Sequence, residues 1–302
     1  VCHPVRAFAW FCGLLVLALL AIGLCTYPAW QLVHAHFDVP FHRVADRVGM
    51  LALLVGFILL ARHLRLADRA SLGYALPARD FLRTLGVALG LGVLTMSGGV
   101  ALMIVLGLLD FSPAAGLSAA AVASLILKRL LSGLAVALIE ETFIRGAMFT
   151  AITRESGARI AIVLTSFLYA ASHFVASTHI PTAEVGSGSG WTLLAGALHA
   201  FARPAGIADA FLALLAVGVV LGLVRAATGN IAACIGLHAG WVWVMLVTHG
   251  LTRPASTAPL GFLLSRFDGF VGWLVLAWTV LLALPLRRFY AVRAAASVRT
   301  ST

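Results

Sequence analysis

Ala137-Leu138-Ile139-Glu140-Glu141-Thr142-Phe143-Ile144-Arg145-Gly146 places two adjacent carboxylates and a guanidinium inside a run that is otherwise apolar. The chain holds only four glutamates, and two of them are here. A charge at mid-bilayer depth costs roughly 2.5–3.5 kcal/mol on insertion scales, so an ionisable residue in such a run is first a candidate for function. Glu141 and Arg145 are spaced i, i+4 and can meet on one helix face as a structural ion pair. That pairing accounts for Glu141 and leaves Glu140 without a partner.

The composition around this stretch sets the fold class. The chain is 62% hydrophobic and 11% charged, with a mean hydropathy of +1.04. A soluble domain is nearer a quarter charged. Several apolar runs approach or exceed the ~20 residues a helix needs to span a bilayer. The runs are continuous and do not alternate with polar residues, which argues against a β-barrel. The expected fold is all-α: one polytopic membrane domain over residues 1–302, with about eight transmembrane helices around a cytoplasm-facing polar cavity. The 21 basic residues against 11 acidic ones do not imply nucleic acid. Most lie in short loops beside the spans, where arginine and lysine orient a membrane protein. The arginine- and alanine-rich usage suggests a bacterial genome and hence an inner (cell) membrane. Cys2, Cys12, Cys25 and Cys234 are scattered and contain no CxxC. They read as small hydrophobes and not as a disulfide framework or metal cluster.

Working outward, the quoted stretch belongs to a fourth run, 118–154, which is longer than a bilayer needs and is expected to be tilted or to break near Ser132-Gly133. Before it lie runs at 7–27, 47–61 and 84–108. The first is too long, and lacks the small-residue site, for a cleaved leader. His34-x-His36 puts its two histidines on different helix faces, a poor metal site. Gly86-x-x-x-Gly90 in the third run allows close helix contact. Between the second and third runs, Arg62, Arg65, Arg69, Arg79 and Arg83 alternate with leucines, which suits an amphipathic segment on an anionic membrane face. After the quoted stretch come runs at 158–177, 209–227, 230–249 and 269–286. They are interrupted by a polar stretch at 178–208, with Gly186 to Gly190 as a flexible link and a short interfacial helix at 191–201. Eight spans put both termini on one side. With that side cytoplasmic, 14 cations fall inside and 7 outside, in line with the positive-inside bias.

Two further polar residues interrupt the spans: His173 and His238. The turn after the fourth span falls near Ser156-Gly157. Glu140 and His173 each stand about 16 residues, or ~24 Å, from it, so an antiparallel pair brings them level. His238 lies ~14 Å up its own helix from the Gly229-Asn230 turn. A lone membrane histidine is often only an interhelical hydrogen-bonder. A carboxylate and two imidazoles at one depth form an acid/base constellation.

Glu140-Glu141-x-x-x-Arg145, then Tyr169-x-x-x-His173, then His238 on a later helix, resembles the CPBP (CAAX protease and bacteriocin-processing) family of intramembrane proteases, related to type II CAAX prenyl endopeptidases. The resemblance covers about 118–249. It implies peptide-bond hydrolysis in a cavity open to the cytoplasmic side. Glu140 and His173 would activate water, and His238 would hold the oxyanion. Glu141, Arg145 and Tyr169 would support the site or anchor the substrate. Two positions depart from the family pattern: Tyr169 stands for the usual Phe, and Val242 for the Asn expected four residues after His238. Valine has no donor, so Ser172, Trp241 or Trp243 would have to replace it. No HExxH is present, and the expected mechanism is metal-free, with Glu140, His173 and His238 as alternative zinc ligands. The partners implied are the lipid bilayer and a membrane-associated peptide or protein substrate, without nucleic acid. The alternative function is a non-catalytic membrane scaffold or bacteriocin-immunity protein of the same fold.

Overall fold

The structure, a computed structural model, describes residues 5–111, 118–175 and 179–299. Cys2 and the predicted end of the fifth run at 177 lie outside them. The helices are α1 (Arg6–His34), α2 (Phe41–His63), α3 (Ala78–Val105), α4 (Ala119–Glu141), α5 (Phe149–Ser156), α6 (Ala158–Ser172), α7 (Ser189–Ala197), α8 (Ala208–Thr228), α9 (Ala232–Leu251) and α10 (Trp273–Arg299). A π-helical segment, Thr142–Met148, joins α4 to α5. Each of the eight predicted runs contains a helix among the described residues. Seven helices, counting α4 to α5 as one of 38 residues, are long and apolar enough to cross a membrane. The eighth run, α6, has only 15 residues. The protein is thus an all-α polytopic membrane protein. Its only strands among the described residues are β1 (Leu109–Phe111) and β2 (Thr252–Pro254), which pair antiparallel with Leu109 opposite Pro254.

Helix α9 is the centre of the packing. Every residue from Ala232 to Trp241 is buried, because α3 covers one side of it and α4 another. Glycines make the approach possible. A Cβ on Gly236 would stand 2.3 Å from Leu85 O, one on Gly240 2.7 Å from Leu89 O, and one on Gly92 2.6 Å from Leu237 O. The small-residue contact of α3 is therefore Gly92 against Gly236-x-x-x-Gly240. The predicted pair, Gly86 and Gly90, faces open space. The motif spacing was right, but it belongs to the other helix. On α4, Gly133 approaches Ala239 O and the Trp243 backbone.

The predicted break at Ser132-Gly133 does not occur. Ser132 Oγ donates to Lys128 O at 2.9 Å and the helix runs on. The irregularity comes about ten residues later, where Phe149 N–H reaches back five residues to Ile144 O. This π turn lies against the 64–77 loop: a Cβ on Gly146 would stand 2.7 Å from Leu72 O, and Tyr74 and Thr142 share a hydroxyl–hydroxyl bond of 2.6 Å.

That loop also differs from expectation. Its arginines are exposed, but Leu64, Leu66 and Leu72 pack into the protein core and not onto lipid. Backbone bonds explain why: Ile231 N donates to Gly73 O at 3.1 Å, tying the loop to the start of α9. Arg154 adds bonds to Arg65 O and Ser71 Oγ. Bonds from the Ser71 hydroxyl and N–H, with Arg154 nearby, hold the exposed Asp68 carboxyl below the usual carboxylate range. That contribution is present at neutral pH and is lost as pH falls through the lowered value. Gly190, expected in a flexible link, is instead a contact: a Cβ there would meet Gly23 O of α1 at 2.4 Å.

Forcing a side chain into a well-packed contact costs typically ~1–3 kcal/mol. Gly236→Val is expected to lower the unfolding free energy in detergent by that amount and its midpoint with it, whereas Gly86→Ala, which meets no neighbour, does not lower the midpoint. Equal midpoints for the two variants would contradict the α3–α9 packing.

Candidate active site

Four helices bring polar groups to one place. The α4–π–α5 rod carries Glu140, Glu141 and Arg145. Gly157, at a φ of +83°, turns the chain into the antiparallel α6, as the Ser156-Gly157 turn predicted. Helix α6 carries Tyr169 and ends at Ser172, with His173 as its C-cap. Helix α9 brings His238, and α8 closes the back with Gly218 and Arg225.

Glu141 and Arg145 are fully buried, with Nη1 to Oε1 at 3.1 Å. Removing one partner of such a pair leaves an uncompensated charge in low dielectric, so the surroundings matter. Arg145 Nη2 donates to Gly218 O at 3.2 Å, and the guanidinium lies over the Tyr169 ring at 4.6 Å. Glu141 Oε1 also meets His238 Nδ1 at 2.9 Å. This last contact was not legible in the sequence, which pairs Glu141 with Arg145 alone.

The partners assign the tautomers. An ionised carboxylate only accepts, so His238 Nδ1 donates to Glu141 and Nε2 is turned toward Tyr169 Oη at 3.5 Å and Glu140 Oε2 at 4.0 Å. A backbone carbonyl also only accepts. His173 Nδ1, 2.7 Å from Tyr169 O, therefore donates there and leaves its Nε2 free of that bond. The His173 ring meets the Tyr169 ring edge-on at 4.6 Å, and Tyr169 meets the His238 ring at 5.8 Å. Tyr169 is thus the wall between the two histidines.

Glu140 differs from its neighbour in exposure. Its side chain is 32% exposed, although its Oε2, like that of Glu141, is buried with no hydrogen-bond partner. Among the described residues, no group of three or more His, Cys, Asp or Glu is placed to hold a metal ion.

Arg225 is one of the 14 cations that the topology counts on the cytoplasmic side. It is buried. Its Nε donates to Arg145 O at 2.9 Å and Nη2 to Thr150 Oγ1 at 3.3 Å, which fastens α8 to the π segment. A buried cation this close to a helix end gives no sequence signal that separates it from a loop arginine. The three substitute donors are all engaged elsewhere. Trp241 Nε1 donates to Thr95 Oγ1, Trp243 Nε1 to Ile126 O and Ser172 Oγ to Tyr169 O.

Breaking a buried pair by removing one partner costs about 3–5 kcal/mol. Glu141→Gln is expected to destabilise the folded protein by that order in denaturant unfolding, and Glu140→Gln by far less, since it breaks no bond. A similar loss from both variants would show that the two glutamates are not divided in this way.

Residues 122–244 match the family model described as type II CAAX prenyl endopeptidase Rce1-like. No curated protein and no solved structure matches the chain. The matched segment runs from α4 through α9 and contains every residue of the cluster above. Over these residues, about two fifths of its length, the chain is similar to the Rce1-like type II CAAX prenyl endopeptidases, a protease family.

Proposed function

We propose that the protein is an intramembrane endopeptidase that hydrolyses peptide bonds of membrane-associated peptides or proteins without a metal. The observation that carries this reading is the Glu140 carboxylate. It is the one group of the cluster that is open to an entering molecule and has a buried oxygen without a partner, 4.0 Å from His238 Nε2. That separation is too long for a direct bond and leaves the oxygen free to take a proton.

Glu140 is the general base. It takes a proton from a water positioned with the help of His173 Nε2, and the water oxygen attacks the peptide carbonyl carbon. His238 faces the carbonyl oxygen. When its ring carries a second proton, Nδ1 keeps its bond to Glu141 and Nε2 becomes a donor to the oxyanion. As the carbon–nitrogen bond breaks, the proton held by Glu140 passes to the leaving amine, and the carboxylate is restored. Glu141 and Arg145 hold the ring and the helix in register. The substrate approaches from the cytoplasmic leaflet of a bacterial inner membrane, with both termini of the enzyme cytoplasmic, and the whole chain acts as one membrane domain.

The deciding experiment is comparative peptidomics of membranes holding wild-type protein or Glu140→Gln. Peptide ends present only with wild type are expected, and their absence would leave the non-catalytic scaffold as the reading. Removing a general acid–base group costs about 10²–10⁴ in rate, so Glu140→Gln should lose at least a hundredfold while remaining folded. Strong chelators should leave the purified enzyme's rate unchanged. Activity lost to chelator and regained with zinc would overturn the metal-free mechanism.

A further inference from the structure

The geometry points to Tyr169 as a second catalytic donor: we infer that its phenol O–H and the protonated Nε2 of His238 together hold the oxyanion of the tetrahedral intermediate. This assignment rests on the hydrolytic reading above and adds a residue to it.

The two atoms are 3.5 Å apart. That is long for a hydrogen bond from a hydroxyl, which prefers about 2.5–3.0 Å to oxygen and little more to nitrogen. Once Nε2 also carries a proton, as in the reaction above, the gap suits two donors converging on a third atom. An oxygen about 2.8 Å from each closes a triangle over that gap. Preset donors aimed at the position of developing charge are the arrangement that stabilises an oxyanion.

The neighbours leave this role to Tyr169. Position 242, one turn beyond His238 and on the same helix face, is a valine without a donor. Ser172 Oγ, Trp241 Nε1 and Trp243 Nε1 are each spent on another acceptor, at 2.9, 2.9 and 3.0 Å. The Tyr169 hydroxyl has His238 Nε2 as its one hydrogen-bond contact among the described residues. The ring is held independently of the hydroxyl, by Arg145 over one face at 4.6 Å and His173 against it at 4.6 Å. The buried O–H is thus fixed in place, and on this assignment it turns its hydrogen bond from Nε2 to the substrate oxygen when that oxygen enters between the two groups. During the reaction it donates a hydrogen bond only. The bond formed is water oxygen to carbonyl carbon, the bond broken is carbon to nitrogen, and no net proton leaves Tyr169.

The test uses the full-length enzyme in liposomes with two quenched-fluorophore reporters, one a farnesylated CAAX peptide and one a plain membrane-tethered peptide. Tyr169→Phe keeps the ring and removes only the hydroxyl. Loss of one oxyanion donor costs ~10²–10³ in rate. Tyr169→Phe is therefore expected to lower kcat by that factor, with KM within about threefold and the unfolding midpoint unchanged. Adding Val242→Asn to Tyr169→Phe should regain at least tenfold, because it supplies a donor on the His238 face. Val242→Asn alone should move the rate by less than about tenfold. A Tyr169→Phe enzyme within about threefold of wild type would overturn the assignment. So would a loss that comes with a lower midpoint and is not regained in the double variant, since that marks a packing role. In both cases cleavage by wild type but not by Glu140→Gln leaves the hydrolytic reading standing. If wild type cleaves neither reporter, nor any membrane peptide relative to Glu140→Gln, both readings fall together.

Discussion

The rest of the structure depends on the ion pair between Glu141 and Arg145. Both side chains are fully buried, where charge is tolerated only if it is paired and hydrogen-bonded. The pair is supported by groups from three other helices, the Tyr169 face from α6, Gly218 O from α8 and His238 Nδ1 from α9, which leave only Glu141 Oε2 and Arg145 Nε without a partner. A slip of any one of these helices by a residue would strand a charge. The pair therefore sets helix register more than it adds stability, which is the best-attested use of a buried ion pair.

Backbone packing supplies the rest of the positioning. Gly92, Gly236 and Gly240 let α3 and α9 approach at backbone distance, and the π segment is pinned by Gly146 against the 64–77 loop and by Arg225 from α8. His238 sits between the two glycines of its helix, in a stretch buried on all sides. Its ring has little freedom to turn, and the Glu141 bond fixes what remains. Preorganisation of this kind lets long separations persist around Glu140 and Tyr169 without collapse onto one another.

Much of this was legible in the sequence. Apolar run length located a helix in each of eight runs, seven of them long and apolar enough to cross a membrane, because the bilayer fixes the length a span needs. The Ser156-Gly157 turn was placed where Gly157, at a φ of +83°, turns the chain into α6. The i, i+4 spacing paired Glu141 with Arg145. What was not legible depends on which way a face points in three dimensions. Two adjacent glutamates on a helix differ by about 100° in direction, and no spacing says which one meets a histidine from α9. Gly86-x-x-x-Gly90 and Gly236-x-x-x-Gly240 look alike as strings, and only the neighbour decides which is a contact. The 64–77 leucines read as lipid-facing because the backbone bond from Ile231 to Gly73 that draws the loop inward leaves no mark on composition. The π turn has no proline or serine–glycine pair to announce it. It arises where the helix must meet a loop on one side and a buried arginine on the other.

Arg225 has a consequence for how charge moves. Its partners are the Arg145 carbonyl and the Thr150 hydroxyl, and no carboxylate lies within ion-pair distance of it among the described residues. Together with Arg145 it puts two positive charges behind the site, against the two negative charges of Glu140 and Glu141 when both are ionised. These four charges sum to zero, which suits a region of low dielectric, where an isolated net charge costs several kcal/mol; the second proton that the proposed reaction puts on His238 adds one positive charge facing the oxyanion. In the proposed reaction Glu140 loses its charge as the substrate oxygen gains one, so that exchange leaves the sum unchanged. The chemical step then amounts to the relocation of a single negative charge over a few ångströms, inside a fixed positive frame that never needs solvent to rebalance it.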